Sequence, residues 1–189
     1  MTDPAARLLY LDCDTGIDDA LALAYLVATP SVDLRGVGTV SGNTDAATAA
    51  RSTVDLLALL DRSDIPVAVG ARDPLGSRFG GGTPAVHGTN GTGDVDLPRA
   101  SAEPVAETAD AMLLRLAHEH PGELHVLATG PLTNLARALR RDPALPGWSP
   151  ASPSWAAPPW FPATGRRSPR PTSRTTPRRP PRCSPLRGT

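Results

Sequence analysis

The 189-residue chain has no lysine; all 19 of its basic residues are arginine. Its two cysteines, Cys13 and Cys183, give no disulfide framework, and Cys13 reads as a small buried hydrophobe. No run is long or apolar enough to cross a bilayer, which excludes a spanning protein, and the length suits one good core. No basic segment followed by an apolar one opens the chain, so a cytoplasmic protein is expected. Acidic residues are missing from the last quarter: all 19 lie at or before Asp142, whereas 8 of the 19 arginines lie after it. The formal net charge of zero therefore divides into a body of −8 and a tail of +8.

What is present in the body is alternation. Leu8–Leu11, Leu34–Val40, Val67–Val69 and Leu124–Leu127 read as buried strands. Asp18–Ala28, Thr44–Leu60, Ala106–His118 and Leu132–Leu139 carry apolar residues at helical spacing. Strand and helix in alternation predict an α/β fold, a mainly parallel sheet with helices on both faces. Ligands of such sheets gather beyond the carboxyl ends of the strands. The Gly- and Pro-rich stretch from Asp73 to Pro98 reads as a long loop of the functional kind, with His87 inside it. His118, His120 and His125 have no motif around them and read as structural.

The densest chemistry follows the first apolar run, where Asp12, Asp14, Asp18 and Asp19 crowd four carboxylates into eight residues. Like charges this close repel unless protons or a cation neutralise them, and a hard cation such as Ca²⁺ prefers carboxylate oxygens. Helix capping would account for Asp18 or Asp19. It gives no reason for Asp12 and Asp14, which precede Gly16. Two further candidates have plain structural alternatives: Asn43 as the cap of a helix starting at Thr44, and Thr129-Gly130-Pro131 as a strand-to-helix turn.

The run from Asp12 to Ala20, Asp-Cys-Asp-Thr-Gly-Ile-Asp-Asp-Ala, resembles the N-terminal signature of the nucleoside hydrolases of inosine/uridine-preferring type. Those are Ca²⁺-dependent enzymes that cleave the N-glycosidic bond of ribonucleosides to base and ribose. The resemblance continues in family order at Val40–Asn43, at His87–Gly93 and at Ala128–Asn134, covering residues 7 to about 146. Thr15 stands where many members have Pro, a departure that touches the turn and not the ligands. The resemblance implies Asp14 as general base and Ca²⁺ ligand, Asp19 as a bidentate ligand and the Thr129 carbonyl as a third. It implies substrate binding by Asp18 and Asn43, which would hold the ribose hydroxyls, and by His87, and it leaves Asp12 as a support behind the site. It further implies a ribonucleoside as partner and a homo-oligomeric assembly; neither membrane nor nucleic acid is expected. A strand followed by Asp-x-Asp, continued as x-Thr/Val, also opens haloacid-dehalogenase-like phosphatases, which would make Asp12 the nucleophile and Asp14 the acid/base. That family expects a later basic residue, usually Lys, and a downstream acidic pair, and this chain has no Lys and no Asp-Asp after Asp19. A non-catalytic fragment is the remaining alternative.

The domain therefore reads as 1–146, and 147–189 as an unstructured Arg/Pro-rich tail. A basic arm for nucleic acid or acidic partners is one reading of that composition. A displaced reading frame is the sharper one. If each new codon takes the last base of one codon and the first two of the next, Trp155-Ala156 is forced to Gly and Trp160-Phe161 to Val, because Trp has a single codon. Around these, the shifted frame permits two further family blocks in the right order. The family groups lost with them grip the ribose, protonate the leaving base and supply the last Ca²⁺ carboxylate. Without the later elements, faces such as Leu124–Leu127 and Leu132–Leu139 are expected to lack cover.

Overall fold

Period-two alternation in the first strand decides the layering. Leu9, Leu11 and Cys13 of β1 (Arg7–Cys13) face one side of the sheet, and Tyr10 faces the other. The structure, a computed structural model, describes residues 6–145. The proposed boundary at 146/147 and the whole tail lie outside the described residues.

Around β1 the sheet is parallel throughout, in the order β3-β2-β1-β4, with β2 at Val32–Thr39, β3 at Val67–Val69 and β4 at His125–Ala128. Register against β2 slips by one residue between Leu9 and Tyr10, pairing Leu9 with Leu34 and Tyr10 with Gly36. A side chain at Gly36 would press on the opposite layer, since its Cβ would lie 2.8 Å from Met112 Sδ, and Met112 would have to give way.

Helices α1 (Ile17–Ala28) and α2 (Ala46–Leu59) cover one face, burying Leu23, Leu26, Val54 and Leu57 against Leu11, Leu34 and Val37. The four-residue α3 (Pro84–His87) interrupts the long loop. On the other face α4 (Ala109–Glu119) and α5 (Thr133–Arg141) pack Met112, Leu113, Leu116, Leu135 and Ala138 over Tyr10, Ala68 and Val126. This is the α/β arrangement the alternation predicts, with helices on both faces.

Boundaries shift for local reasons. Helix α2 begins at Ala46 and not at Thr44, because Asp45 is its cap: its Oδ1 accepts from the Ala47 and Thr48 amides at 3.1 and 3.2 Å. Asn43 is therefore not the cap. Helix α4 starts three residues later than its apolar pattern, because Val105 first extends the sheet, its amide donating to Val67 at 2.8 Å. The expected lack of cover is half met: Val126 and Leu135 are buried, while Leu127 on the α1 side of β4 is 37% exposed and Leu132 is 53% exposed. Leu21 and Tyr25 of α1 are barer still. No helix among the described residues is long and apolar enough to cross a membrane.

Candidate active site

The turn from β1 to α1 brings two carboxylates together. Asp14 leaves the strand end with its Oδ2 accepting from the Asn43 amide at 2.9 Å. Asp19, on the first turn of α1, accepts from the Gly16 amide at 2.8 Å and is 4% exposed. Burial, and then the neighbouring charge of Asp19, push the Asp14 carboxyl up to about 7. That is the electrostatics of a pair in want of a positive partner. Gly42 leaves the needed room, since a Cβ there would meet Asp14 Oδ2.

The loop after β4 closes on the same turn. The Thr129 amide donates to the Asp12 carbonyl at 2.9 Å, and Gly130 packs so close that a Cβ on it would lie 3.0 Å from the Asp14 nitrogen. The Thr129–Gly130 backbone thus lies against the chain at Asp12 and Asp14, beside the Asp14–Asp19 pair, whose carboxylate oxygens are hard donors of the kind Ca²⁺ takes. Among the described residues no cluster of three or more His, Cys, Asp or Glu side chains forms, so the side-chain donors here are a pair.

Beside the pair, three polar side chains converge on Gly16. A Cβ on that residue would lie 2.5 Å from Asn43 Nδ2, 2.6 Å from Asp18 Oδ1 and 2.9 Å from His87 Nδ1. The long loop delivers His87 across 70 residues, and its Nδ1 accepts from the Ile17 amide at 3.2 Å, which leaves the ring proton on Nε2 in the neutral form. The loop is pinned by Thr83, whose amide donates to the Asn43 carbonyl at 2.9 Å, and by Ser52, whose hydroxyl donates to Asn90 at 2.8 Å. A cavity of about 530 Å³ opens alongside, lined by Asn43, Asp45, Arg72, Phe79 and Thr89 among others. That volume is within the range of small-molecule sites.

Asp12 stands apart. It is fully buried, its Oδ1 accepts from Asn134 Nδ2 at 2.8 Å, and its Oδ2 has no partner among the described residues. Burial drives its carboxyl up to about 7, against the Asn134 hydrogen bond and helped by the charge of Asp14. A carboxylate enclosed in this way is not placed to attack a phosphoryl group, which removes the support for the phosphatase reading. Asn134 itself escaped attention in the sequence; its only signal was its place at the end of the Ala128–Asn134 motif. Thr15 is less innocent than its sequence position suggests. It is buried with φ +41°, and its hydroxyl lies 2.9 Å from that of Thr53 and 3.2 Å from the Ala49 carbonyl, tying the acidic turn to α2.

The family model described as inosine-uridine preferring nucleoside hydrolase matches residues 9–148. Uridine nucleosidase 1 of Arabidopsis thaliana is 40% identical over 134 residues, covering 71% of this chain and 40% of that protein. A pyrimidine-specific ribonucleoside hydrolase of Enterobacter is 39% identical over 137 residues, covering 72% and 44%. Among solved structures, a plant nucleoside hydrolase superposes with a TM-score of 0.71 at 35% identity, covering 74% of this chain and 44% of the other. A purine-preferring ribonucleoside hydrolase from Gardnerella vaginalis gives 0.71 at 29% identity, covering 74% and 45%. The match thus spans about two fifths of the length of these curated relatives. Motifs, fold and comparisons agree, and the chain belongs to the inosine-uridine preferring nucleoside hydrolase family.

Proposed function

We propose that the chain carries the cation-binding and part of the ribose-binding machinery of a ribonucleoside hydrolase, and that the 189 residues alone are catalytically incomplete. The observation that carries the reading is the convergence of Asp18, Asn43 and His87 on Gly16, directly beside the Asp14–Asp19 pair.

The reaction transfers the ribosyl group to water: the bond from C1′ to the base nitrogen breaks, a C1′–O bond forms, water gives up a proton and the base gains one. Its transition state resembles an oxocarbenium ion. Asp14 is the proposed acceptor of the water's proton, with its carboxylate oriented by the Asn43 amide. Asp18 and Asn43 are the proposed partners of the ribose hydroxyls, and His87, wedged against the start of α1, borders the same space. The family is metal-dependent; Asp14, Asp19 and the Thr129 carbonyl are the groups that would hold Ca²⁺. Such a cation, when bound, offsets the charge of the pair and makes a nearby water more acidic. Homo-oligomeric assembly belongs to the same proposal and rests on the family resemblance.

Incompleteness follows from the two-carboxylate donor set and from the displaced frame proposed for 147–189; the nucleotide sequence around Gly147 tests the latter directly. We expect weak Ca²⁺ binding by calorimetry that Asp19→Ala abolishes; equal heats from both proteins would refute the site. We expect no release of base from inosine or uridine, since each well-placed acid or base is worth about 10²–10⁴ in rate. Robust release would overturn the incompleteness, and phosphate release from a phosphoester would revive the phosphatase reading.

A further inference from the structure

Asn134, the second residue of α5, is fully buried and spends both ends of its amide on strand ends. Its Nδ2 donates to Asp12 Oδ1 at 2.8 Å and to the Thr39 carbonyl at 2.9 Å, while its Oδ1 accepts from the Ala71 amide at 2.8 Å. One side chain thereby joins the carboxyl ends of β1 and β2 to the segment leaving β3. Two donors and an acceptor on so short a stem are a property of Asn; Asp lacks the donors and Leu lacks all three. The backbone has been brought against the amide: a Cβ on Gly70 would lie 2.4 Å from both Asn134 Nδ2 and Oδ1.

The second observation is at Asp12. Its Oδ2 is buried without a partner, so among the described residues the bond from Asn134 is what fixes the rotation of that carboxyl group. The Asp12 carbonyl in turn receives the Thr129 amide, and the chain reaches Asp14 two residues later.

We infer that Asn134 is a positioning residue for the cation site: through Asp12 it sets the end of β1, and with it the Asp14 carboxylate and the Thr129 loop. This rests on the cation reading proposed above. A merely structural amide would affect the whole core alike; a positioning amide directs its effect to the acidic turn and the Thr129 loop.

The test uses the full 189-residue protein. Asn134→Asp keeps the shape and the acceptor for Ala71 but removes the donors. Combining it with Asp12→Asn restores the bond between the two residues with its direction reversed. Amide exchange is read at Asn43 and Thr129, whose N–H groups close on Asp14 and Asp12, and at Leu57 and Leu113 in the helical cores. We expect Asn134→Asp to speed exchange at Asn43 and Thr129 at least tenfold, to leave Leu57 and Leu113 unchanged and to weaken Ca²⁺ binding at least tenfold. The double variant should recover most of the exchange protection. Uniform loss of protection, unchanged exchange at Thr129, or no recovery in the double variant would each overturn the inference. Should Asn134→Asp fail to fold, Asp12→Ala, which removes the acceptor for Asn134 Nδ2, carries the same expectation at the same amides. Absence of Ca²⁺ heat in the unaltered protein, with the exchange pattern as expected, would remove the cation reading and leave the positioning role of Asn134 standing.

Discussion

Gly16 shows how much of the site depends on one missing carbon. Its φ of −95° is ordinary, so alanine meets no backbone penalty there, and the consequence of Gly16→Ala is steric. The new methyl displaces Asn43, Asp18 and His87 together, because all three lie under 3.0 Å from it. All three are ends of side chains that can give way, so the loss falls at or below the lower end of the about 1–3 kcal/mol of an overpacked core. We expect that loss in urea denaturation, accompanied by a changed imidazole nitrogen shift for His87 as its bond to the Ile17 amide breaks; an unchanged His87 signal would refute the convergence. Thr15 carries the opposite lesson, for its φ of +41° is one that proline, locked near −65°, does not adopt. The carboxylates stood out in the sequence because capping accounts for Asp18 or Asp19 but not for Asp12 and Asp14, and Asn43 and His87 because each sat in a motif in family order. Asn134 was not legible in its role. Its partner Asp12 is 122 residues away, and nothing in a lone amide announces which buried carboxylate it meets.

At the scale of elements, the start of α2 gives a clean measurement. Burial alone would raise the Asp45 carboxyl, but the Thr48 hydroxyl and amide, the Ala47 amide and the charge of Arg72 outweigh it and hold the group below its usual range. A carboxylate depressed in the folded state stabilises above its unfolded pKa of about 3.9, and that stability is lost as pH falls through the folded value. Asp45→Ala should therefore cost about 0.5–2 kcal/mol near pH 6. The difference between the two proteins should shrink below about pH 3, in urea denaturation read at both pH values. A difference independent of pH would show that Asp45 caps without its charge. Strands and helices were readable because period two and period 3.6 differ plainly over four to a dozen residues. Their ends were not, because Asn43, Thr44 and Asp45 are all competent caps in a row, and only the packing of Thr44 and Ala46 into the interior selects the third.

For the whole molecule, the sheet order leaves a corner open. Leu127 faces the α1 side of β4, where among the described residues no helix covers it, and Leu21 and Tyr25 on α1 are 70% and 72% exposed. Strand β4, an edge among the described residues, also carries no Asp, Glu, Arg or Pro, the usual protections of an edge. We expect poor solubility, and suppression of light scattering on warming by Leu21→Glu combined with Leu127→Glu. Undiminished scattering would place the cause elsewhere, with the opposed charges of body and tail as the first suspect. Alternation told of a parallel sheet but not of its order, since the pairing of β4 beside β1 rests on contacts remote in sequence.

That same order has a consequence in time. Strand β1 leads the described strands and lies in the middle of the sheet, so its second neighbour, β4, is the last of them to be synthesised. Closing such a long loop is slow, and parallel pairing gives no local hairpin to start from. The acidic turn is thus expected to gain its contacts with Thr129 and Asn134 only when β4 docks. The edge proposed to bind ligand is therefore expected to assemble late in folding, and a variant that delays β4 should lengthen the life of a chain in which that edge is unformed.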